Sequence, residues 1–246
     1  MDKAHLSIEN LTVCYGKTVV VNSFSIEVGS ETIVLFGPSG CGKTTILKAI
    51  LGVSEYGKHV KGNILFNNKP LIQDDGHVGM VFQGPVVPPW MTVSALCRIG
   101  SKIRDYSATE QNIKIEKMLN QFGISDLINR YPYQLSGGQK QRVALAVTLL
   151  NEPSILLMDE PSTFIDGMTR IAIWDFLEKE VRSLGIPTIV VSHDPAEAIR
   201  LADKIFCLSS PAAITRSLNV PFTHPRNDSM LRNEDVWELM NTLISP

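Results

Sequence analysis

Apolar positions come first in short dense runs and only later at helical spacing. Residues 6–36 carry LSIENLTVCY, VVVNSFSIEV and TIVLF, alternating at first and then continuously apolar. With breaks at Gly16-Lys17 and Gly29-Ser30, they predict several strands joined by turns. GNILFNN at 62–68 predicts another strand ending in a turn, and HVGMVFQ at 77–83 a further short one. Pro85, Pro88 and Pro89 then interrupt regular structure. Over 92–131 the pattern turns helical, with Ile113, Met118 and Leu119 among polar residues. Val143, Ala146, Val147 and Leu150 continue that spacing farther on. SILLM (154–158) and PTIVVS (187–192) are unbroken apolar runs, as expected of parallel strands buried on both faces. Between them, 168–184 has helical spacing through Ile173, Leu177, Val181 and Leu184 and stops at Gly185. This alternation predicts an α/β core, with 85–150 as an inserted helical subdomain. From about Pro221 a polar loop leads into a last amphipathic helix near Asn233.

Composition narrows the setting. The 246 residues suffice for one large core or a core plus a subdomain. Hydrophobic content of 44% with 20% charged residues excludes wholesale disorder. A net charge of -2 gives no polycationic drive toward nucleic acid, and none is expected as a partner. The apolar runs fall far short of a bilayer span, and MDKAHLSIEN lacks the apolar region of a signal peptide. The expectation is a cytosolic chain, held at a membrane only by partners. Cys14, Cys41, Cys97 and Cys207 form no CxxC pair and read as reduced thiols.

One motif carries chemistry on its own terms, and a second, which alone is a strand followed by an acidic turn, gains it when paired with the first. GPSGCGKTT, Gly37 to Thr45, fits the phosphate-loop pattern GxxxxGK[ST] between the strand TIVLF and the apolar stretch ILKAILG. Backbone N–H groups of Gly37, Pro38's successors Ser39, Gly40, Cys41 and Gly42, and the helix start at Lys43, Thr44 and Thr45 would wrap phosphate oxygens. Lys43 would reach the β- and γ-phosphates, and the Thr44 hydroxyl would ligate Mg²⁺. SILLMDEP delivers two acids at a strand's C-terminal end, where α/β ligands bind. Asp159 suits a Mg²⁺ shell, and Glu160 suits a general base on water. LSGGQ, Leu135 to Gln139, opens a helix with Ser136 and Gln139 at capping-box spacing, which taken alone is only a cap.

The order of these motifs resembles the ATPase subunit of an ABC transporter, from Tyr15 to at least His193. That resemblance implies an ABC-type P-loop NTPase core with a mostly parallel sheet, an N-terminal antiparallel β subdomain and an inserted α-helical subdomain, all in one domain over 1–246. It implies ATP and Mg²⁺ as cofactors. It further implies that the LSGGQ segment, with Gln139 among its nucleotide-binding residues, crosses a head-to-tail dimer, where Ser136, Gly137 and Gly138 complete the site of the second copy. Gln83 matches the Q-loop glutamine that touches Mg²⁺ and the attacking water, and His193 the switch histidine at the γ-phosphate. Asp166 matches the D-loop aspartate, and Tyr15 the aromatic that stacks on adenine. Two positions depart from the family's habit. Phe164 stands where a small residue is usual, and Val147 where an arginine is usual in the ALARAL stretch.

A single motif set, without heptads or metal-binding insertions, favours transport over the non-transport ABC ATPases. LSGGQ and His193 argue against another P-loop enzyme such as a kinase. Separate permease subunits and an extracytoplasmic solute-binding protein are then expected, with the chain on the cytoplasmic face of the membrane. VVPPWMTV (86–93) resembles the LLPWxTV stretch of nitrate, sulfonate and taurine importer ATPases, and PFTHPRNDSML (221–231) resembles their tail. Importers of thiamine precursors use similar ATPases and are the alternative.

Overall fold

The computed structural model describes residues 4–71, 78–101, 106–163 and 167–244. Its centre is a six-stranded sheet in the order β10-β9-β3-β8-β7-β6. The strands are β3 (Thr32–Phe36), β6 (Val78–Val81), β7 (Ile155–Asp159), β8 (Thr188–Ser192), β9 (Lys204–Leu208) and β10 (Ile214–Asn219). All neighbours pair in parallel except β9 with β10.

The unbroken apolar runs have a simple cause. Val34, Leu156, Met158 and Val190 face one core, shared with the helices. Ile33, Leu35, Ile155, Leu157, Ile189 and Val191 face a second core on the opposite side. Successive residues point to opposite faces, so a strand covered on both faces must be apolar throughout. The second core is closed by helix α1 (Lys43–Ile50) and by a four-stranded antiparallel sheet, order β2-β1-β4-β5. That sheet comprises β1 (Leu6–Tyr15), β2 (Thr18–Val28), β4 (Lys58–Phe66) and β5 (Lys69–Pro70).

On the helical side lie α2 (Val93–Ser101), α3 (Ala108–Gln121) and α4 (Gly137–Leu150). Helices α2 and α4 cross closely at Gly100. A Cβ on Gly100 would lie 2.6 Å from the Val147 carbonyl oxygen, so only glycine permits the approach. Thus Val147, the departure from the usual arginine, sits in a helix–helix contact. Helices α5 (Gly167–Phe176), α6 (Pro195–Leu201) and α7 (Glu234–Ile244) complete the chain.

Several expectations are revised. The strand expected at 62–68 begins at Lys58, because β4 pairs along the whole of β1, from Tyr15↔Lys58 to Leu6↔Phe66. The helix expected across 168–184 widens into a π-helical turn at Leu177–Val181. There the adjacent residues Leu177 and Glu178 are both buried, and the wider turn brings neighbouring side chains closer in direction. The stretch 92–131, expected to be helical, holds α2, α3 and a short 3-10 turn at Ser125–Leu127. The sequence pattern suggested no element over 195–219, yet α6, β9 and β10 lie there.

Candidate functional site

The site forms where β3, β7 and β8 end side by side. After Phe36 the chain turns through Gly37–Gly42 into α1. Gly42 has φ 113, and a Cβ there would lie 2.9 Å from the Val20 carbonyl oxygen. Glycine is therefore required both for conformation and for closeness. Pro38, Ser39 and Gly40 are exposed at the crest of the loop, while Cys41 is buried beneath it. Lys43 is 5% exposed, and its Nζ donates to the carbonyls of Gly37 (2.7 Å) and Pro38 (2.8 Å). The lysine is thus bent back over the loop, its charge held at the loop's centre.

Thr44 and Asp159 face each other. Asp159, the last residue of β7, is 3% exposed. Burial pushes its carboxyl up from the ordinary 3.8, opposed by a hydrogen bond from the Thr44 hydroxyl. Adjacent Glu160 pushes it up further, and Lys43 acts the other way. A buried carboxylate beside a hydroxyl is a hard oxygen pair, fitting a divalent cation such as Mg²⁺. That ion would relieve the desolvation the carboxylate now bears.

Glu160 is the meeting point. Its backbone has φ 47, a left-handed conformation that costs a non-glycine residue about 1–3 kcal/mol. The turn frees its side chain from the strand direction. Oε2 accepts from Gln83 Nε2 (3.1 Å) and from the Thr163 hydroxyl (3.0 Å). Oε1 lies 3.1 Å from His193 Nδ1. A carboxylate has about four acceptor positions, so three partners still leave room for one water. Gln83 arrives from the end of β6 and His193 from the end of β8. The Glu160 side chain is 12% exposed and that of His193 52%, which keeps the edge of the site open to solvent. A cavity of about 650 Å³ opens beside it, against Gly37, Pro38, His193, Ser209 and Arg216.

Tyr15 ends β1, with its hydroxyl near Thr45 of α1 and Glu55 beyond it. Its hydroxyl is hydrogen bonded to Glu55, which also accepts from Lys48 Nζ (2.7 Å). Burial first, and then the Glu55 carboxylate, push the Tyr15 phenol up to about 12. Ser136, Gly137, Gly138 and Gln139 form the start of α4. Ser136 is the N-cap: its hydroxyl accepts from the Gln139 amide (3.2 Å), and the Gln139 side chain accepts from the Ser136 amide (2.9 Å). Ser136 and Gly137 are exposed and Gly138 is buried. Asp166 and Phe164 lie outside the described residues.

The structure therefore brings together Lys43, Thr44, Asp159, Glu160, Gln83 and His193, while Ser136 and Gln139 are bonded to each other at the start of α4. Sequence reasoning missed three supporting residues. Thr163 holds Glu160, Glu55 holds Tyr15, and Glu197 is a buried carboxylate behind the site. Only Glu197 left a trace, since Asp194 and Glu197 have capping-box spacing. The helix does start at Asp194, which caps Ala196 and Glu197, but the Glu197 carboxylate turns inward.

Comparison with known proteins agrees with this architecture. The ABC transporter family's sequence model matches residues 21–163. The Fe(3+) ions import ATP-binding protein FbpC of Fusobacterium nucleatum is 38% identical over 205 residues, 82% of this chain and 54% of that protein. The aliphatic sulfonates import ATP-binding protein SsuB of Rhodopseudomonas palustris is 35% identical over 222 residues, 90% of this chain and 76% of that protein. The chain thus spans about half the length of the first relative and about three quarters of the second. Among solved structures, cbiO1 of Clostridium perfringens, part of the ABC transporter complex cbiONQ, matches with a TM-score of 0.79 at 24% identity, covering 98% of this chain and 96% of that one. With its fold shared and more than half its length matched by the family's sequence model, the chain belongs to the ABC transporter family.

Proposed function

We propose that the chain is the ATP-binding, ATP-hydrolysing subunit of an ABC importer, energising uptake of a small solute through separate permease subunits. The observation that carries this reading is Glu160, held by Gln83, Thr163 and His193 beside the Lys43–Thr44–Asp159 group.

In this reading the loop Gly37–Thr45 cradles the triphosphate with backbone N–H groups, and the α1 N-terminus adds its partial positive charge. Lys43 exchanges its two carbonyl partners for phosphate oxygens. Thr44, Asp159 and Gln83 would hold Mg²⁺, which when bound neutralises phosphate charge. Glu160 accepts a proton from the attacking water, and Gln83 and His193 keep that carboxylate aimed. Tyr15 stacks on the adenine. Ser136, Gly137, Gly138, Gln139 and Asp166 serve the nucleotide of a second, head-to-tail copy, and Ser136 and Gly137 are exposed as such a contact requires.

Trp90 is 76% exposed and Val86 69%, and the prolines between them stiffen a partly apolar loop just after Gln83. That loop is the proposed permease contact, and no helix among the described residues is long and apolar enough to cross a membrane itself. The chain would then sit at the cytoplasmic face, with a solute-binding protein on the far side. Among relatives named for import of iron, sulfonates and sugars, the sulfonate protein shares most of its length with this chain. An organic sulfonate, taurine or nitrate is accordingly the favoured solute, and a permease co-purifying with the chain would identify the system.

Glu160→Gln tests the central claim. It keeps size and hydrogen bonding but removes the proton-accepting charge. Phosphate release should fall about 10²–10⁴-fold while ATP still binds. Light scattering should show that ATP and Mg²⁺ shift this variant from monomer toward dimer. Undiminished hydrolysis would remove the base role from Glu160.

A further inference from the structure

Behind the site lies a carboxylate that the chemistry above does not use. Glu197 is 2% exposed, and Ser162, Ser192 and Trp174, which donate to it, are buried too. Its Oε2 accepts from the Ser192 hydroxyl at 2.6 Å. Its Oε1 accepts from the Ser162 hydroxyl and from Trp174 Nε1 at 3.0 Å. The Trp174 indole N–H is also 3.1 Å from the Ser162 oxygen, so the three donors form one closed set around the carboxylate. Burial raises the carboxyl above its ordinary 4.5, and the bonds from Ser162, Ser192 and Trp174 oppose this.

The placement of the donors is informative. Ser162 follows Glu160 after one proline, and Ser192 immediately precedes His193. The β7–β8 ladder ends at Asp159↔Val191, with one further bond from the Glu160 amide to the Val191 carbonyl at 3.0 Å. Past that point the segments bearing Glu160 and His193 are joined through side chains. Burying a carboxylate costs several kcal/mol that a leucine would not. Packing alone therefore does not explain glutamate here, whereas fixing two loops against each other does.

We propose that Glu197 is a positioning residue for ATP hydrolysis, locking the Glu160 and His193 loops in register through Ser162, Ser192 and Trp174. The proposal rests on the roles given above to Glu160 and His193. It acts through the 3.1 Å approach of His193 to Glu160, a spacing that a small shift of either loop would lose. A misplacement of about 1 Å can lower turnover roughly 10²-fold.

The test measures kcat and KM for ATP with the full chain carrying Glu197→Gln, Glu197→Leu or the double change Ser162→Ala/Ser192→Ala. The double change leaves Glu197 in place and guards against a misfolded single variant. Expected is a fall in kcat of at least about ten-fold with KM changed by less than about three-fold. In a His193→Ala background, Glu197→Gln should add little, because the two changes disable one arrangement. Variants that lower melting temperature but keep native kcat would overturn the proposal, as would effects that simply multiply with those of His193→Ala. Glu160→Gln, run alongside, separates the two layers. If it loses hydrolysis while the Glu197 variants do not, only the positioning role fails. If it hydrolyses normally, the reading of the site itself fails.

Discussion

His193 Nδ1 lies 3.1 Å from Glu160 Oε1, across the ends of two neighbouring parallel strands. The histidine is half exposed and the glutamate nearly buried, so the contact has a fixed partner and a movable one. His193→Ala should leave ATP affinity within a few-fold of native while lowering turnover by about 10²-fold or more. Equilibrium nucleotide binding and single-turnover hydrolysis, measured on the same preparation, check both halves.

Lys43 is held by two loop carbonyls, so its removal affects both charge and loop shape. Each hydrogen bond from a charged group is worth about 1.5–3 kcal/mol. Lys43→Ala should weaken ATP binding by at least about ten-fold, which titration calorimetry reads directly. Native affinity and turnover in this variant would reject the phosphate-loop assignment.

Tyr15 is anchored at its hydroxyl by Glu55, leaving its ring as the variable surface. Tyr15→Phe should keep most ATP affinity, whereas Tyr15→Ala should lose about 1–3 kcal/mol of base stacking. The phenol is raised to about 12 from its ordinary 10.0, by burial and by Glu55. A raised tyrosine favours the protonated folded state, so its stabilisation is complete below the unfolded value and is lost as pH climbs through the folded one. Ultraviolet difference titration should find this tyrosine un-ionised when exposed tyrosines have already titrated.

The tail is fastened by a charged cluster. His224 bonds to Glu178 and lies 3.3 Å from Asp203, which also accepts from Arg182 at 2.8 Å. Arg226, 2% exposed, donates to the carbonyls of Ile199 and Ala202 at the end of α6. Burial pulls the His224 imidazole down, but the bonds to Asp203 and Glu178 outweigh it, and the net shift is above 6.5. Burial pushes the carboxyls of Glu178 and Asp203 up, but their partners outweigh it and hold both low.

The signs fix the pH window of that cluster. The histidine's contribution is complete below its unfolded 6.5 and fades as pH rises through its raised folded value. The carboxylates' contribution is complete above their unfolded 4.5 and 3.8 and fades as pH falls through their lowered values. The loss of melting temperature caused by His224→Asn should therefore be greatest near about pH 5–6 and shrink on either side. A pH-independent loss would show that the cluster does not titrate with folding. Arg226→Met should be costlier, by about 3 kcal/mol, because it strands buried partners.

The sequence by itself determined much of this protein. TIVLF, SILLM and PTIVVS are apolar throughout because β3, β7 and β8 are covered on both faces, and that pattern is readable without coordinates. The turn at Gly37–Gly42 was equally legible, since Gly42 needs both a positive φ and an absent Cβ. The capping box at Ser136 and Gln139 formed as its spacing implied. These features are local, or repeat along the chain, and local geometry leaves its mark in residue order.

Only the tertiary structure decided which residues meet. Gln83, Glu160 and His193 come from three separate strands, and each alone reads as an ordinary polar strand end. Parallel pairing of β6, β7 and β8 brings those ends to one edge, and the left-handed turn at Glu160 completes the contact. Glu197 stands three residues after the helix-capping Asp194 and Glu55 just beyond α1, positions that give no hint of their partners. What they do depends on Ser162, Ser192, Trp174 and Tyr15, which reach them from other elements. A hydrogen bond between distant segments has no period or spacing in the chain, so folding alone could disclose it.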